Sequence, residues 1–422
     1  MKLQKIVSRL QELHPKEIDL SLDRVLNLCK KLNNPQDKIK AISVVGTNGK
    51  YSTIQAMYAI LKEAKFNCNI YTSPHIKKIN ERFVFNNKEI NDDELSNLLE
   101  QVEKANDNQP ITFFEILTAA FFYKSAEYPD NINLIETGLF HRFDATNILN
   151  ENLASIVTSI GLDHLDWLPK NEQTIEKIIF EKTSKLLNSN IIVAKQSSNK
   201  TLEQIKKTIK DNESNKLFFN EDYNYSDNES SFFYYEDVSG GIKLPRPNIN
   251  GQFQLENIST AIATLRVIKE ININDEHIKD GITKIESIAR LQEITKGKLK
   301  DLVEENRLLV DGSHNPLGAK VLNDYLESLN CDKHIILGMM ANKDHQEFIS
   351  YLKGITTLTT IDIPNQPNSI GGKELKNKLN SVENIQYKQN IFEAIKSIPV
   401  KKNDLILITG SLYLAGEVLN LN

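Results

Sequence analysis

Apolar and polar positions alternate with two different periods along this chain, and the shorter period comes first. Short β-branched runs at Ile42–Val45, Asn69–Tyr71, Ile132–Ile135, Ser155–Ser159 and Ile191–Ala194 read as buried parallel strands. Helical patterns lie between most of them. The segment from Phe113 to Ala126 and the one after Glu172 have the length of the crossovers that a parallel sheet requires. From about Thr201 to Gly241 the chain becomes rich in Asp, Asn, Glu, Ser and Lys around two aromatic clusters, Leu217 to Phe219 and Phe232 to Tyr235. This stretch predicts a peripheral β hairpin region with polar loops, with a regulatory acidic insert as the competing reading. Helical spacing returns at Ile258, Ala261, Ile262, Leu265 and Ile268. A second alternating series follows, with strands expected at Leu308–Val310, Ile335–Leu337, Leu358–Ile361 and Leu405–Ile408, and a further one at Leu291–Ile294. The pattern predicts an α/β protein with a large, mostly parallel N-terminal sheet domain (residues 1–287) carrying a peripheral β region. A smaller, Rossmann-like α/β domain (residues 288–422) follows it.

The first strand run leads into Gly46-Thr47-Asn48-Gly49-Lys50-Tyr51-Ser52-Thr53, after which Ile54, Met57, Tyr58, Leu61 and Ala64 recur at helical spacing. A strand that turns through glycines into a helix presents unpaired backbone N–H groups, and Lys50 adds a mobile cation; such a turn holds phosphate. The strict G-x-x-x-x-G-K-S/T pattern fails, because Val44 replaces its first glycine and Tyr51 separates Lys50 from Ser52. Ser52 or Thr53 supplies the hydroxyl suited to a magnesium ion.

The 422 residues exceed one ordinary core and fit two domains or three. A formal charge of -5 without a long basic stretch argues against a general nucleic-acid binder. No apolar run approaches a membrane span, so a cytoplasmic protein is expected. Cys29, Cys68 and Cys331 are isolated in sequence and indicate neither a disulfide framework nor a zinc site.

Five further segments follow the phosphate-type turn. They are Tyr71-Thr-Ser-Pro-His75 with Asn80-Glu-Arg82; Glu136-Thr-Gly-Leu-Phe-His-Arg142-Phe-Asp144-Ala-Thr-Asn147; Thr158-Ser-Ile-Gly-Leu-Asp163-His164; Asp311-Gly-Ser-His314-Asn-Pro316; and Thr409-Gly-Ser411-Leu-Tyr413. In these segments, and in their order, the chain resembles the folylpolyglutamate synthase and dihydrofolate synthase family, a branch of the Mur ligases. The resemblance implies an ATP- and Mg²⁺-dependent ligase that joins L-glutamate to dihydropteroate or a reduced folate through an acyl phosphate, working as a monomer. It implies nucleotide contacts from Gly46, Thr47, Asn48, Gly49, Lys50, Ser52, Thr53, Asn257, Arg290 and Asp311. Magnesium ligands are implied at Ser52, Ser73, Glu136 and His164, and at Lys182 if that lysine is carbamoylated; the competing reading of Lys182 is an exposed helical lysine. Ser73, His75, Arg82, Arg142 and Asp144 are implied on the acceptor side, and His314 and Ser411 on the glutamate side, with Lys50, Lys182 and His314 closest to the chemistry. Arg82 and Arg142 suit carboxylate or phosphoryl groups because a guanidinium offers two parallel donors. Lys343-Asp344 fills another family position, which reads equally as loop polarity.

The chain departs from the family where glycine is usual: at Tyr51, at Phe140-His141, at Ile288-Ala289, where Pro-Gly is usual, and at Thr183-Ser-Lys, where Ala-Gly-Ile is usual. A Cβ at a position needing positive φ would cost about 1–2 kcal/mol. Two rivals therefore stand beside the ligase: a nucleotide- or folate-binding relative with impaired turnover, and a Mur ligase acting on a cell-wall precursor.

Overall fold

The structure is a computed structural model describing residues 2–14, 19–380 and 382–422. Two compact units emerge. The first takes the described residues up to His164 together with Leu168–Asn248 and Leu255–Ile285; the second takes Leu165–Trp167, Ile249–Gln254 and Glu286–Asn422.

The first unit is built on an eight-stranded sheet. Its strands are β1 (Lys40–Val45), β2 (Cys68–Tyr71), β3 (Phe83–Phe85), β4 (Lys88–Glu89), β5 (Ile132–Glu136), β6 (Ala154–Val157), β7 (Asn190–Val193) and β8 (Asn215–Phe218). They run in the order β4-β3-β2-β5-β1-β6-β7-β8. In this order pairing from β2 through β8 is parallel, and the β2–β3 and β3–β4 pairs at one edge are antiparallel. Every residue of β2, β5 and β6 is buried, as a strand covered on both faces requires. β1 has β5 on one side and β6 on the other, so loops leaving neighbouring carboxyl ends converge at this switch point. A stack of buried rings fixes where β2 ends: the Tyr71 ring lies 5.0 Å from that of Phe121 and 5.5 Å from that of Phe83. The Tyr71 hydroxyl sits 3.1 Å from Thr118 Oγ1, so this ring is buried with its polar end satisfied.

The polar stretch after residue 198 corrects the expectation of a simple hairpin region. Asn199–Thr208 is a helix capped by Ser198, and Asn215–Phe218 joins the main sheet as β8. Ile205 and Ile209 are buried at helical spacing among lysines and glutamates, a periodicity that the charged composition masks. The hairpin itself is present further on: β9 (Tyr223–Ser226), β10 (Phe232–Asp237) and β11 (Gly240–Pro245) form an antiparallel sheet in the order β11-β10-β9.

In the second unit β12 (Gln292–Glu293), β13 (Arg307–Val310), β14 (Lys333–Leu337), β15 (Thr357–Ile361), β16 (Ile385–Lys388) and β17 (Leu405–Thr409) are arranged β12-β13-β17-β14-β15-β16. All neighbours are parallel except β12. The strand expected over Leu291–Ile294 is shortened to two residues because Leu291 has φ 47, outside the extended region. Its own core gathers Leu309, Leu322, Ile335, Leu337, Phe348, Leu358 and Leu407.

Candidate active site

The turn after β1 has the predicted geometry. Gly46 (φ 153) and Gly49 (φ 90) bound it, and the helix Lys50–Glu63 starts at Gly49 without a side-chain cap, which leaves its N-terminal dipole available to an anion. Side chains are excluded at both glycines. A Cβ on Gly46 would lie 1.9 Å from Thr158 Oγ1, and one on Gly49 would lie 2.6 Å from Asn257 Oδ1. The second contact places Asn257, on the helix Phe253–Val267, directly against the turn. Thr47 and Asn48 donate their N–H groups to Ser159 O at 2.9 and 3.2 Å, which ties the turn to the strand end of β6. Thr47 Oγ1 bonds Gly161 as well. Tyr51 is already the second residue of the helix and half-buried, so the lost glycine there imposes no left-handed backbone. Ser52 and Thr53 are buried in the same turn, and the Thr53 hydroxyl has no hydrogen-bond partner among the described residues.

Lys50 Nζ donates to the Gly46 and Thr47 carbonyls at 3.2 Å each and lies 3.9 Å from Glu136 Oε1. Glu136, the last residue of β5, is buried at 5 % exposure, and its Oε2 accepts the Ser73 N–H at 3.2 Å. The carboxyl ends of adjacent strands β2, β5 and β1 therefore bring Ser73, Glu136 and Lys50 together. Two residues on, His75 Nδ1 accepts the Arg82 Nε hydrogen at 3.0 Å, which requires the imidazole to be unprotonated there. Burial, reinforced by the Arg82 charge, pushes its pKa down to about 4.

The loop after β5 is organised by Asp144. Its buried carboxylate accepts the Gly138 and Leu139 N–H groups at 2.9 and 3.0 Å on one oxygen, and the Thr146 N–H and hydroxyl on the other. Burial raises its pKa while these four bonds oppose the rise. The Phe114 ring borders this loop, since a Cβ on Gly138 would lie 2.8 Å from Phe114 Cζ and 3.2 Å from Asp144 Oδ2. Sequence reading took Phe114 only as part of a crossover helix; its neighbour Thr112, capping that helix reciprocally with Glu115, was the available signal. Arg142 makes a bidentate pair with Glu181, both bonds at 2.7 Å, and lies over the Phe143 and Phe180 rings. The glycines lost at Phe140 and His141 leave no backbone strain, as Phe140 is extended (φ -108), but two large buried side chains fill their place. His141 Nε2 has no hydrogen-bond partner among the described residues, and burial beside Lys182 pushes this imidazole down to about 4.

Lys182 is not an exposed helical lysine. It is 2 % exposed, and its Nζ donates to Gly46 O at 3.0 Å and Leu139 O at 2.8 Å, linking the phosphate-type turn to the loop after β5. Burial, with the Lys50 charge as a second cause, pushes the amine down to about 7. His164 lies beyond β6 with φ 57, a third exposed, and its Nε2 stands 3.9 Å from Asp163 Oδ2.

Within the second unit Asp311 follows β13 and is buried. Its two oxygens accept the Leu291 and Ser313 N–H groups, both at 2.8 Å. His314 Nδ1 lies 2.9 Å from the Gly312 carbonyl, an acceptor only, so Nδ1 carries the proton. Ser411 is buried and caps the last helix through the Tyr413 N–H at 3.1 Å. Arg290 sits between two left-handed residues, Ala289 and Leu291. Lys343 precedes Asp344, which caps the helix His345–Tyr351.

Among the described residues no three His, Cys, Asp or Glu side chains form a metal cage. The donor set around Glu136 nevertheless suits magnesium. That ion takes hard oxygen ligands, keeps water and substrate phosphates in its shell, and needs only one or two protein groups. The buried Glu136 carboxylate beside the phosphate-type turn is such a group.

Comparison with known proteins finds relatives along nearly the whole chain. Residues 290–412 match the family model described as Mur ligase, glutamate ligase domain. The chain is 29% identical over 423 residues to the dihydrofolate synthase/folylpolyglutamate synthase of Bacillus subtilis (strain 168), covering 94% of each chain. To the Escherichia coli (strain K12) protein of the same name it is 26% identical over 422 residues, covering 98% of this chain and 94% of that one. A solved structure described as E. coli FolC in complex with DHPP and ADP superimposes with a TM-score of 0.87 at 26% identity, covering 99% of this chain and 97% of that chain. The Yersinia pestis CO92 bifunctional folylpolyglutamate synthase/dihydrofolate synthase complexed with AMPPNP and Mn ion shares the fold, with a TM-score of 0.87 at 24% identity, covering 99% of this chain and 97% of that one.

Proposed function

We propose that this chain is a member of the folylpolyglutamate and dihydrofolate synthase family of Mur ligases, which it resembles along nearly its whole length, and that it joins L-glutamate to dihydropteroate and to reduced folates at the expense of ATP. The observation that carries the reading is the convergence of Lys50, Glu136 and Ser73 at the ends of three adjacent strands, around a helix N-terminus that no side chain caps. An amide bond to a carboxylate needs that carboxylate turned into a better electrophile. The enzyme does so by transferring the γ-phosphoryl group of ATP to it, after which the glutamate amino group opens the acyl phosphate and releases phosphate.

We assign the grip on the triphosphate to the Gly46–Gly49 turn and to Lys50, whose ammonium is held within reach of it by two loop carbonyls. Asn257, Arg290 and Asp311 are assigned to the nucleotide, and Asp311 also shapes the loops on either side of it through both oxygens. Ser52, Ser73, Glu136 and His164 would hold Mg²⁺, and Lys182 would join them as a carbamate. Bound there, Mg²⁺ would supply charge neutralisation for the phosphates and polarisation of the transferring group. His75, Arg82 and Arg142 are assigned to the acceptor, with Arg82 oriented by His75 and Arg142 by Glu181. Asp144 shapes the acceptor loop rather than offering a spare oxygen. His314 and Ser411 are assigned to glutamate.

We further propose a cytoplasmic monomer. Among the described residues no helix is long and apolar enough to cross a membrane, and light scattering on purified protein reads the oligomeric state.

The test is ADP release from purified enzyme given ATP, Mg²⁺ and glutamate with dihydropteroate, with tetrahydrofolate, or with no acceptor. Release that needs both glutamate and a pteridine acceptor is expected. Release without acceptor, or only with a cell-wall nucleotide, would overturn the assignment. Lys50→Ala should lower the rate by at least about 10²-fold, as expected for losing a preorganised charge on the transferring group.

A further inference from the structure

The backbone around Arg290 is held in a way that its own sequence does not favour. Ala289 has φ 53 and Leu291 has φ 47, both with a side chain and both buried. Left-handed residues with a Cβ are unfavourable, so two of them flanking one arginine persist only where the surroundings over-determine the loop. Here each flanking peptide group is secured separately. The Ala289 N–H donates to Gln292 Oε1 at 2.9 Å, and the Ala289 carbonyl accepts the Gly312 N–H at 2.9 Å. The Leu291 N–H donates to Asp311 Oδ2 at 2.8 Å, and the Leu291 carbonyl accepts Asn250 Nδ2 at 3.0 Å. Arg290 itself returns one guanidinium N–H to the Ala289 carbonyl at 3.0 Å, so its side chain starts from a fixed direction.

Three of these four partners are close neighbours in the loop or the strand beside it. Asn250 is different, because it comes from the separate short segment Ile249–Gln254 of the second unit, 41 residues before Leu291. The residue two places earlier repeats the device inside the first unit: Asn248 Nδ2 donates to the Ile285 carbonyl at 2.9 Å, and Asn248 Oδ1 accepts the Ile285 N–H at 3.0 Å. Both connecting segments are thus tied together by an asparagine within each unit, and the tie within the second unit ends on the residue next to Arg290.

We propose that Asn250 is a positioning residue for the ligase reaction: its carboxamide fixes the left-handed loop that sets the direction of the Arg290 guanidinium. The proposal rests on the assignment of Arg290 to the nucleotide. Asn250 touches no reacting group in this account; it acts only through the arginine. A misplacement of the order of 1 Å at a charged group that serves the reaction is enough to cost roughly tenfold in rate.

The experiment is a double-mutant cycle with Asn250→Ala and Arg290→Ala, measuring kcat, KM for ATP and KM for tetrahydrofolate. Alone, Asn250→Ala is expected to lower kcat roughly tenfold with KM for tetrahydrofolate unchanged. In the Arg290→Ala enzyme the same substitution should change kcat by no more than about twofold, because its route of action is already gone. Equal losses in both backgrounds, or no loss in either, would overturn the positioning role. If Arg290→Ala alone keeps the full rate, the assignment of Arg290 fails and the proposal goes with it, a result distinct from additivity. Asn250→Asp keeps the side-chain volume but removes the donor, and it replaces the alanine variant if that one melts early; the same pattern is expected of it.

Discussion

His75 and Arg82 show how one hydrogen bond decides a charge. Arg82 donates to His75 Nδ1, so a protonated ring would set two cations against each other in a largely buried place. The folded pKa of about 4 lies below the ordinary value of 6.5. Unfolded chain therefore binds more protons between those values, and stability should rise with pH from about 4 to 6.5 and fall as pH drops through that window. Histidine NMR should find the His75 ring titrating near pH 4, and urea midpoints of His75→Gln should vary less over the window than those of the parent. Lys182 is shifted the same way for a base, down to about 7. Its neutral, CO₂-reactive fraction grows with pH, so a carbamate signal from ¹³C-bicarbonate should strengthen between pH 6 and 8 and vanish in Lys182→Arg. Ala289 offers a third test. Its left-handed backbone costs about 1 kcal/mol relative to glycine, against about 0.5 kcal/mol for the freer unfolded chain that glycine brings. Ala289→Gly should raise stability by about 0.5 kcal/mol, read from urea denaturation.

Elements were legible wherever one physical signal dominated. β1, β2, β5, β6 and β7 are short, apolar and β-branched, and each was visible within one or two residues. The helix after Lys50 was visible from its spacing alone. Asn199–Thr208 was not, because its buried face has few apolar residues and its surface carries the composition of a solvated loop. The turn chemistry of the site was likewise legible as residue types: glycines, Lys50, and a carboxylate ending a strand. What the types could not give was direction. Residue type alone does not say that Asp144 turns its oxygens back on its own loop, where Gly138, Leu139 and Thr146 are its partners, or that Lys182 is buried between the Gly46 and Leu139 carbonyls, which lie far from it along the chain. The same holds for how the phosphate-type helix is seated. Gly281, on the helix Asp275–Ile282, packs so closely on it that an added Cβ would lie 2.6 Å from Ile60 Cα. Gly281→Ala must push these helices apart. Overpacking of this kind costs about 1–3 kcal/mol. ADP affinity, measured by calorimetry, should weaken with it, because the helix displaced is the one that starts at Lys50.

At the scale of the whole molecule, each unit has its own sheet and its own buried core, and the residues assigned to magnesium all belong to the first. That separation makes a specific demand on linkage. A ligand that binds only folded protein stabilises it in proportion to the logarithm of its concentration over Kd, about 2.7 kcal/mol at a hundredfold excess. A non-hydrolysable ATP analogue with Mg²⁺ should therefore raise the melting temperature and slow amide exchange along the helix Lys50–Glu63. Adding EDTA should remove most of the effect, since Mg²⁺ offsets the repulsion between the phosphates and Glu136. Glu136→Gln separates the two contributions. With the carboxylate charge gone, the metal loses its buried anionic ligand, turnover should fall by at least about 10²-fold, and the Mg²⁺-dependent part of the thermal shift should disappear. The metal-free part should survive, because Gly46, Gly49 and Lys50 are untouched. Stabilisation that stays fully metal-dependent in Glu136→Gln would place the ion elsewhere and remove Glu136 from the site.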